Sequence, residues 1–488
     1  MTFWAALGSS LGLAAGSLGC GPTDAVDDPP STVAPPGYLA ASPQRPGDAQ
    51  RGYDTLVNFG YVRCGVPYPL FAAYAKLSPT KAEDKLPGRT GHNTELPYYL
   101  TAFQTKKGAE LVTLNCLVCH AARMGGQLVV GLGETHSDYT GATTAFGNLL
   151  IKLLALGGGA GLSAEDKAEL QKFTSRTAIV SPFLGTRSKG VNPADSLGAV
   201  LAAHRDPSTL LWSDTPVIAV PDKDPIPLDV PPWWRMGKKN ALYYMGFGRD
   251  DHARLLMASS MLCTDNTAEA DEIDARFPDV RAYLAALPPP RYPGAINSAL
   301  AASGRTTFEH TCSRCHGTYG EGAGSPAGSY PNRLIDIDEV RTDSTLIDVS
   351  GSPRGQQYFG WLNASWFGKL SHVELTHGYV APPLDGIWAT APFLHNGSVP
   401  TLAALLDSSQ RPRYFTRQPS AGDDGYDVAT VGIKYTPVAH GQLDERDAGK
   451  RAAIYDTTLR GYSNAGHTFG DALSVDERQS VIEYLKTL

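Results

Sequence analysis

Charged side chains are scarce in this sequence: 19% of the 488 residues are charged, and lysine and arginine never gather into a long run. The formal net charge of −7 gives no basic field, so we do not expect nucleic acid as a partner. Beyond residue 20, the chain also lacks any segment long and apolar enough to span a bilayer. With 51 glycines and 36 prolines, it has the composition of a globular protein with long irregular loops.

Cysteine occurs only seven times, yet four of the seven belong to two Cys-x-x-Cys-His motifs. The motifs are Cys116-Leu-Val-Cys119-His120 and Cys312-Ser-Arg-Cys315-His316. This pattern attaches haem, because each thiol bonds one vinyl group of the porphyrin and the histidine binds the iron. A zinc site would need four ligands from closely spaced pairs, whereas here each pair has its own histidine and the pairs lie far apart. We therefore expect two covalently bound haem c groups rather than zinc or a redox dithiol.

The other two internal cysteines, Cys64 and Cys263, leave two interpretations open. In an oxidising compartment an even pair can form a disulfide, which here would close a long loop within the N-terminal half. Two separate buried thiols are an equal alternative. The sequence does not choose between them.

The first residues of the chain have the character of an export signal. Residues 2–19 are almost uncharged and apolar, and a polar segment rich in proline and aspartate follows Cys20. We predict an export signal at 1–20, of the lipoprotein type with Cys20 as lipid anchor, and a flexible leader at 21–48; a frayed N-terminus is the alternative. Because bacteria attach haem to this motif outside the cytoplasm, we expect a periplasmic, outer-membrane lipoprotein or secreted protein, not a cytoplasmic one.

A proline-rich segment divides the chain between the two motifs. Residues 287–294, Leu-Pro-Pro-Pro-Arg-Tyr-Pro-Gly, cannot continue a helix and predict a linker at 288–297. The N-terminal haem c domain then spans 49–287 and the C-terminal one 298–488. Similar helical patterns close both halves, and Ser474 with Glu477 predicts a capping box for the second. The expected fold is mainly α, with two cytochrome c-like haem domains, long irregular loops and few short strands.

The positions of the methionines limit which residues can be the sixth ligand of each haem iron. All six methionines lie at or before residue 261, so the second haem has no methionine from its own domain. Its sixth ligand would be a histidine, water, an unusual side chain or nothing, and the candidate histidines are His372, His377, His395, His440 and His467. Two histidine ligands would make a low-potential, closed electron-transfer centre. For the first haem, an open position that binds dioxygen or peroxide is one alternative, and these side chains are the others: Met124, His136, His204, Met236, Met245, His252, Met257 and Met261.

Several segments of the chain resemble bacterial dihaem cytochromes. Residues 382–402, which include Phe393-Leu-His395-Asn-Gly, resemble the dihaem cytochrome c peroxidase superfamily. The closer resemblance is to rubber oxygenases, through residues 115–120, 330–332, 338–343 and 463–470, which together span most of 50–488. The chain is shorter than rubber-cleaving enzymes, which argues against rubber cleavage itself.

The resemblance implies roles for individual residues. The second iron would be bound by His316 and His467, and the first by His120, whose opposite face would bind oxygen. Aromatic side chains line this distal pocket in rubber oxygenases, and residues 231–249 resemble that segment, although ordinary core packing explains them equally well. The residues placed there are Trp233, Trp234 and Phe247. His395 would be a structural residue beside the second haem.

These expectations define a function. The chain would be an oxidoreductase whose first haem reacts with peroxide or dioxygen while the second exchanges electrons with a small redox protein or another donor or acceptor. The organic substrate is unknown, and relatives with peroxidase activity can carry a calcium ion between domains. The alternative is a non-enzymatic dihaem electron carrier. A haem-based sensor is a third interpretation and would need a signalling output.

Overall fold

The computed structural model describes residues 33–34, 37–141, 161–417 and 425–488. The predicted export signal, Cys20 and the first part of the leader lie outside these residues. The described residues belong to a single contact unit that starts at Val33. Within them, no helix is long and apolar enough to cross a membrane.

Most helices are short because proline and glycine interrupt the apolar pattern. Many begin at a side chain that caps their free N–H groups; Ser474 and Glu477 form the predicted capping box. The helices are α1 Ala49–Asn58, α2 Tyr68–Leu77, α3 Ala164–Val180, α4 Ala194–Ala203, α5 His252–Leu256, α6 Thr267–Asp274, α7 Phe277–Ala286, α8 Ser298–Thr311, α9 Ser313–His316, α10 Ile337–Val340, α11 Thr345–Gly351, α12 Pro353–Ala364, α13 Leu402–Leu406, α14 Ala448–Ala453 and α15 Val475–Leu485.

The strands form several small sheets of two or three strands each. Their bounds are β1 Val33–Ala34, β2 Gly37–Tyr38, β3 Val66–Pro67, β4 Leu100–Gln104, β5 Glu110–Leu114, β6 Ala121–Met124, β7 Gln127–Val130, β8 Gly248–Asp250, β9 Thr318–Tyr319, β10 Gly328–Ser329, β11 Arg333–Asp336, β12 Ser371–Val373, β13 Leu375–Thr376, β14 Gly378–Val380, β15 Tyr414–Arg417, β16 Tyr426–Asp427, β17 Gly432–Ile433, β18 Tyr435–Pro437 and β19 Ile454–Asp456. The three-stranded sheets have the orders β3-β5-β4, β14-β11-β2 and β18-β15-β19.

The prediction of a mainly α fold is wrong. The structure is 40% helix and 15% strand, which makes it a mixed α/β fold. The longest strands, β4 and β5, pair antiparallel around a turn at Gly108, which has a φ of 93°. Most of the others are only two to four residues long, too short for an alternating pattern to stand out from the loops.

Each half of the chain contains a close crossing between an early helix and a late one. In the second half α8 crosses α15, and Gly304 lies so near the Ser480 carbonyl that a methyl group would overlap it. In the first half α1 crosses α7, with Gly52 against the Asp279 carbonyl in the same way. The second motif continues directly from α8, whereas the first is displaced beyond the β3-β5-β4 sheet. The two halves therefore share the crossing but present their motifs differently.

The larger buried core extends across the predicted linker. Its members include Leu56 and Phe277 from before residue 288, and Phe359 and Trp361 from after residue 297. Residues 287–297 contain no helix or strand, as their prolines require. The division into two haem domains at this point stays a prediction.

A disulfide joins Cys64 to Cys263, across 199 residues of sequence. Both side chains are fully buried and their Cα atoms are 5.3 Å apart. The sequence left a disulfide and two separate buried thiols as alternatives, and the structure contains the disulfide. Within the described residues, the four cysteines of the two Cys-x-x-Cys-His motifs are not part of this or another disulfide.

Candidate haem sites

The first motif lies on a short 3-10 turn at the end of a small sheet. The turn spans Cys116–Val118, and the Asn115 side chain accepts a hydrogen bond from the Leu117 N–H at 2.9 Å, which fixes its start. The Cys116 N–H donates to the phenol oxygen of Tyr61 at 2.6 Å. His120 then leads into β6. The two thiols and the imidazole are thereby held on one rigid turn.

The surroundings of His120 favour a neutral imidazole. Burial lowers the pKa of His120 to about 4, and the main-chain carbonyl of Pro231, against the ring, partly offsets that shift. The His120 ring stacks on Trp233, with ring centres 4.7 Å apart. Beside it, the Asn192 amide donates to the Cys119 sulfur at 3.3 Å. A neutral imidazole is the form that binds a metal.

The second motif continues from α8 into the single turn of α9. The N–H groups of Cys315 and His316 both donate to the Cys312 carbonyl at 3.1 Å, so the three residues face one way. His316 Nδ1 lies 2.9 Å from the Pro382 carbonyl, which fixes the ring and leaves Nε2 free. The chain turns away at Gly317, whose φ is 80°.

His467 faces His316 across a gap. Their ring centres are 6.2 Å apart and the ring planes are inclined by 58°. The His467 N–H donates to the Val340 carbonyl at 2.7 Å, and the Arg411 guanidinium binds three carbonyls of the same loop. Burial lowers the pKa of His467 to about 4, with further lowering by His316 and Arg411. The loop is thus anchored in a position that points a neutral imidazole at His316.

The other histidines of the C-terminal half have different partners. Three pair with carboxylates near the surface: His372 with Asp250, His377 with Asp336 and His440 with Glu445. His395 is buried, stacks on Tyr379 at 4.2 Å and lies 3.2 Å from its hydroxyl. Of the five candidates, the structure brings only His467 to His316 among the described residues.

The gap between His316 and His467 suits a metal ion bound by both rings. An imidazole nitrogen bonds a metal at about 2 Å, which puts two opposed ring centres roughly 6 Å apart. The Cys312 thiol lies one turn before His316, and the Cys315 thiol belongs to the residue directly before it. The residues present therefore fit a haem attached by the two thiols and ligated on both faces.

No equivalent partner for His120 lies among the described histidine rings. His204 bonds the Ser213 carbonyl through Nδ1 at 2.8 Å, and His252 is buried elsewhere. The Met245 sulfur accepts from the Ser350 hydroxyl at 3.6 Å. Met236, Met257 and Met261 are core residues, while Met124 and His136 line a cavity of about 30 Å³. The sixth position of a first haem remains without an assigned ligand.

The three residues predicted for the distal pocket are not all together. Trp233 and Trp234 share the 3-10 turn Trp233–Lys238, where Trp233 stacks on His120 and the Trp234 N–H donates to the Asp385 carbonyl at 2.8 Å. Phe247 packs instead between Tyr243 and Phe359, and no described contact joins it to His120. Their assignment to one pocket stays a prediction.

A repeated arrangement, here called the attachment module, was missed from the sequence. In each copy the first carbonyl of a Pro-Pro pair lies beside the motif histidine. Pro382 is 2.9 Å from His316 Nδ1, whereas Pro231 lies against the His120 ring and His120 Nδ1 has no hydrogen-bond partner among the described residues. Eleven residues later, at 242 and at 393, each copy makes a tight turn with matching bridges. The turn residues Tyr243 and Leu394 have φ values of 69° and 68°. In the sequence, each Pro-Pro pair precedes its turn by the same number of residues, and this equal spacing could have revealed the repeat.

The two attachment modules touch through Asp385. Its carbonyl accepts from Trp234 and, at 3.1 Å, from Arg235, and its carboxylate binds Lys238 at 2.8 Å. The Tyr244 and His395 rings, which occupy equivalent places in the two turns, also meet edge to face at 6.2 Å. These buried contacts fix one candidate haem site relative to the other.

Comparison with known proteins supports a cytochrome character. Residues 378–416 match the family described as RoxA-like, cytochrome c-like, which covers Pro382 and His395. The match implies covalent haem c and indicates a haem-containing oxidoreductase or electron-transfer role. It supports in part the resemblance to rubber-oxygenase-like cytochromes.

Two proteins of Sinorhizobium fredii are also similar to this chain. The uncharacterized protein y4iM is 27% identical over a 288-residue alignment that covers 53% of this chain and 64% of that protein. The uncharacterized protein y4iJ is 29% identical over a 280-residue alignment that covers 44% of each chain. The chain thus spans less than two thirds of either relative's length.

Proposed function

We propose that this chain is a dihaem c-type oxidoreductase with one closed and one open haem centre. The observation that supports it most is the asymmetry between the two motifs. His316 has His467 opposite it at 6.2 Å, whereas the His120 ring contacts Trp233 and has no described histidine opposite. The second centre would transfer electrons, and the first would react with peroxide or dioxygen.

The side chains of this protein would have two tasks. They would bind each haem iron, and at the second haem they would also exclude other ligands. Bound haem would supply an iron that changes oxidation state and, at a free position, can bind a small molecule. His120 would bind the first iron through its neutral imidazole. Trp233 would restrict rotation of that ring and keep water from it. His316 and His467 would occupy both faces of the second iron and exclude other ligands.

Contacts through Asp385 favour electron exchange between the two centres. Trp234, Arg235 and Lys238 of the first attachment module all bind this one residue of the second. A rigid connection keeps the distance between the two haems constant. Electrons would reach the second haem from a small redox protein or another donor or acceptor.

The location and the remaining ligands belong to the same proposal. Because bacteria attach haem covalently outside the cytoplasm, the protein would work in the periplasm or at the cell surface, tethered through a lipid on Cys20 or secreted. A calcium ion is a further expectation, although no group of three or more His, Cys, Asp or Glu side chains gathers as a metal site in the described part of the chain. The organic substrate is not specified.

The number of haems is tested by replacing each pair of thiols. Cys116→Ser/Cys119→Ser and Cys312→Ser/Cys315→Ser should each halve the haem bound covalently to the purified protein, measured by pyridine haemochrome absorbance. The wild type serves as the reference for two haems. A variant that keeps the full haem content would contradict the attachment assignment for that motif.

The reactivity is tested on the haem-loaded wild type by optical and low-temperature EPR titration. Peroxide, and carbon monoxide after reduction, should change the spectrum of one haem while the other stays low-spin. If both haems are low-spin and unresponsive, the protein is better described as a dihaem electron carrier. That outcome would remove the proposed reaction but leave both haem attachments intact.

A further inference from the structure

The two histidines of the second candidate haem site are held in different ways. His316 Nδ1 lies 2.9 Å from the Pro382 carbonyl, which fixes its ring. His467 Nδ1 is buried and has no hydrogen-bond partner among the described residues. Histidines that bind a metal normally donate this second ring N–H to a carbonyl, a carboxylate or water. The orientation of the His467 ring must therefore come from its main chain.

The main chain at His467 has a conformation that few non-glycine residues adopt. Its φ is 46°, and the φ of Gly466 before it is 74°, so two successive residues are left-handed. The turn is tightly packed, since a Cβ atom at Gly466 would overlap the main chain of Arg341. On this side the His467 N–H donates to the Val340 carbonyl at 2.7 Å. A left-handed histidine persists only where its surroundings hold it in place.

Arg411 holds the same turn from the other side, because its guanidinium donates to five main-chain carbonyls. Three of them belong to the loop of His467: Asn464 at 2.7 Å, Gly466 at 2.7 Å and His467 at 3.1 Å. The other two belong to the last turn of α13, where carbonyls have no partner within the helix: Ala404 at 3.1 Å and Leu405 at 3.2 Å. The bonds use all five N–H groups of the guanidinium. We call these five bonds the Arg411 clamp.

Helix α13 gives the Arg411 clamp a firm support. Its first turn is capped by Thr401, whose hydroxyl accepts from the Ala404 N–H at 3.1 Å. Three of its five residues are buried: Leu402, Ala404 and Leu406. The loop of His467 also packs on the end of this helix, since a Cβ atom at Gly470 would lie 2.5 Å from the Leu406 carbonyl oxygen. The position of the loop is thus set by a buried helix.

We propose that Arg411 is the positioning residue that keeps His467 on the second haem iron. This rests on the closed second centre of the proposed function and names the side chain that keeps it closed. Because the His467 ring has no hydrogen bond of its own, loss of the Arg411 clamp lets the turn relax and moves the imidazole away from the iron. His316 keeps its bond to Pro382 and stays in place. The face of the second haem that opens is therefore the His467 face.

The test measures cyanide binding at the second haem of the full, haem-loaded chain. Cyanide binds this iron only while His467 is detached, so its apparent affinity rises with the detached fraction. The low-spin EPR signal that His467→Ala removes identifies this haem, and the loss of that signal during a titration gives the affinity. Arg411→Lys keeps the charge but not the planar fork that reaches the carbonyls. It should bind cyanide at least about tenfold more tightly than the wild type, the factor expected when one hydrogen bond to a charged group is lost.

Two further variants separate the Arg411 clamp from general effects of substitution. Arg413→Lys is the matched control, since Arg413 is exposed and its guanidinium lies 5.3 Å from the centre of the Tyr414 ring. Its cyanide affinity should equal that of the wild type. Gly470→Ala displaces the same loop from α13 without changing Arg411, and it should also tighten cyanide binding. Covalent haem content should be equal in all variants, which distinguishes a detached ligand from a lost haem.

The outcomes distinguish this proposal from the proposed function. Wild-type cyanide affinity in Arg411→Lys or in Gly470→Ala, together with a high-spin second haem in His467→Ala, would reject the Arg411 clamp and leave the closed centre intact. An unchanged low-spin spectrum in His467→Ala would reject the ligand itself and the closed centre with it. A gain in Arg413→Lys as large as that in Arg411→Lys would also overturn the proposal.

Discussion

Gly304 and Ser480 meet main chain to main chain where α8 crosses α15. The contact is so close that no larger residue fits at 304 without moving one helix. Because α8 continues into the second attachment motif, any shift would also move Cys312 and His316. The crossing thus fixes the position of the motif as well as the packing of the two helices.

Gly304→Ala should therefore destabilise the protein. Forcing a methyl group into the crossing is expected to cost about 1–3 kcal/mol, which a urea unfolding curve measures. Gly360→Ala is the control, since Gly360 lies within α12 with nothing within 4 Å of the added Cβ. There the substitution should stabilise by up to about 1 kcal/mol. Equal effects of the two would show that the crossing tolerates a side chain.

His467→Ala should change the spin state of one haem only. Loss of the side chain opposite His316 removes the second imidazole, so a low-spin EPR signal should be replaced by a high-spin one. His372→Ala, which removes a surface histidine paired with Asp250, should leave the spectrum unchanged. The covalent haem content should be the same in both variants. An unaltered low-spin spectrum in His467→Ala would reject this ligand.

Replacement of Cys64 and Cys263 by alanine should lower stability without affecting haem content. The disulfide closes a loop of 199 residues, and loss of such a constraint is expected to cost about 2–5 kcal/mol. The measurement is the unfolding free energy of the double variant against wild type. A reducing agent should produce a similar loss in the wild type and none in the variant.

His395 should make stability fall in acid. Burial lowers the pKa of His395 from its ordinary 6.5, so below that pH the unfolded chain takes up a proton that the folded chain refuses. Stability is therefore greatest above pH 6.5 and decreases as the pH falls below it. His395→Gln should flatten this part of the profile, measured by urea unfolding between pH 7.5 and 5. The exposed His372→Gln is the control, and an unchanged slope in His395→Gln would contradict the assignment.

Some of the architecture could be predicted because it depends on local patterns. The pairing of thiols with a following histidine and the capping of α15 by Ser474 follow from short sequence spacings. The meeting of His467 and His316 depended instead on the resemblance to known cytochromes, since 151 residues separate them. The strands β4 and β5 were missed because each contains three consecutive buried residues, so that both faces are partly buried and the expected alternation is weakened.

The haem-attachment residues of the candidate sites could be predicted from the sequence. The main-chain groups that lie beside the motif histidines could not. The carbonyls of Pro231 and Pro382 lack any side-chain signature, since every residue has a carbonyl. What places them beside histidine rings is the tertiary packing of loops more than sixty residues from the motifs.

Cys64 is much nearer along the chain to Cys116 and Cys119 than to Cys263. A chain exported N-terminus first into an oxidising compartment would present those three thiols together before Cys263 emerged. Haem attachment needs two of them reduced, while the disulfide needs the third oxidised. Maturation would then be a matter of timing, with the first haem attached, or its thiols kept reduced, until Cys263 arrives. Recombinant yield should accordingly depend on thiol reduction during export as much as on the supply of haem.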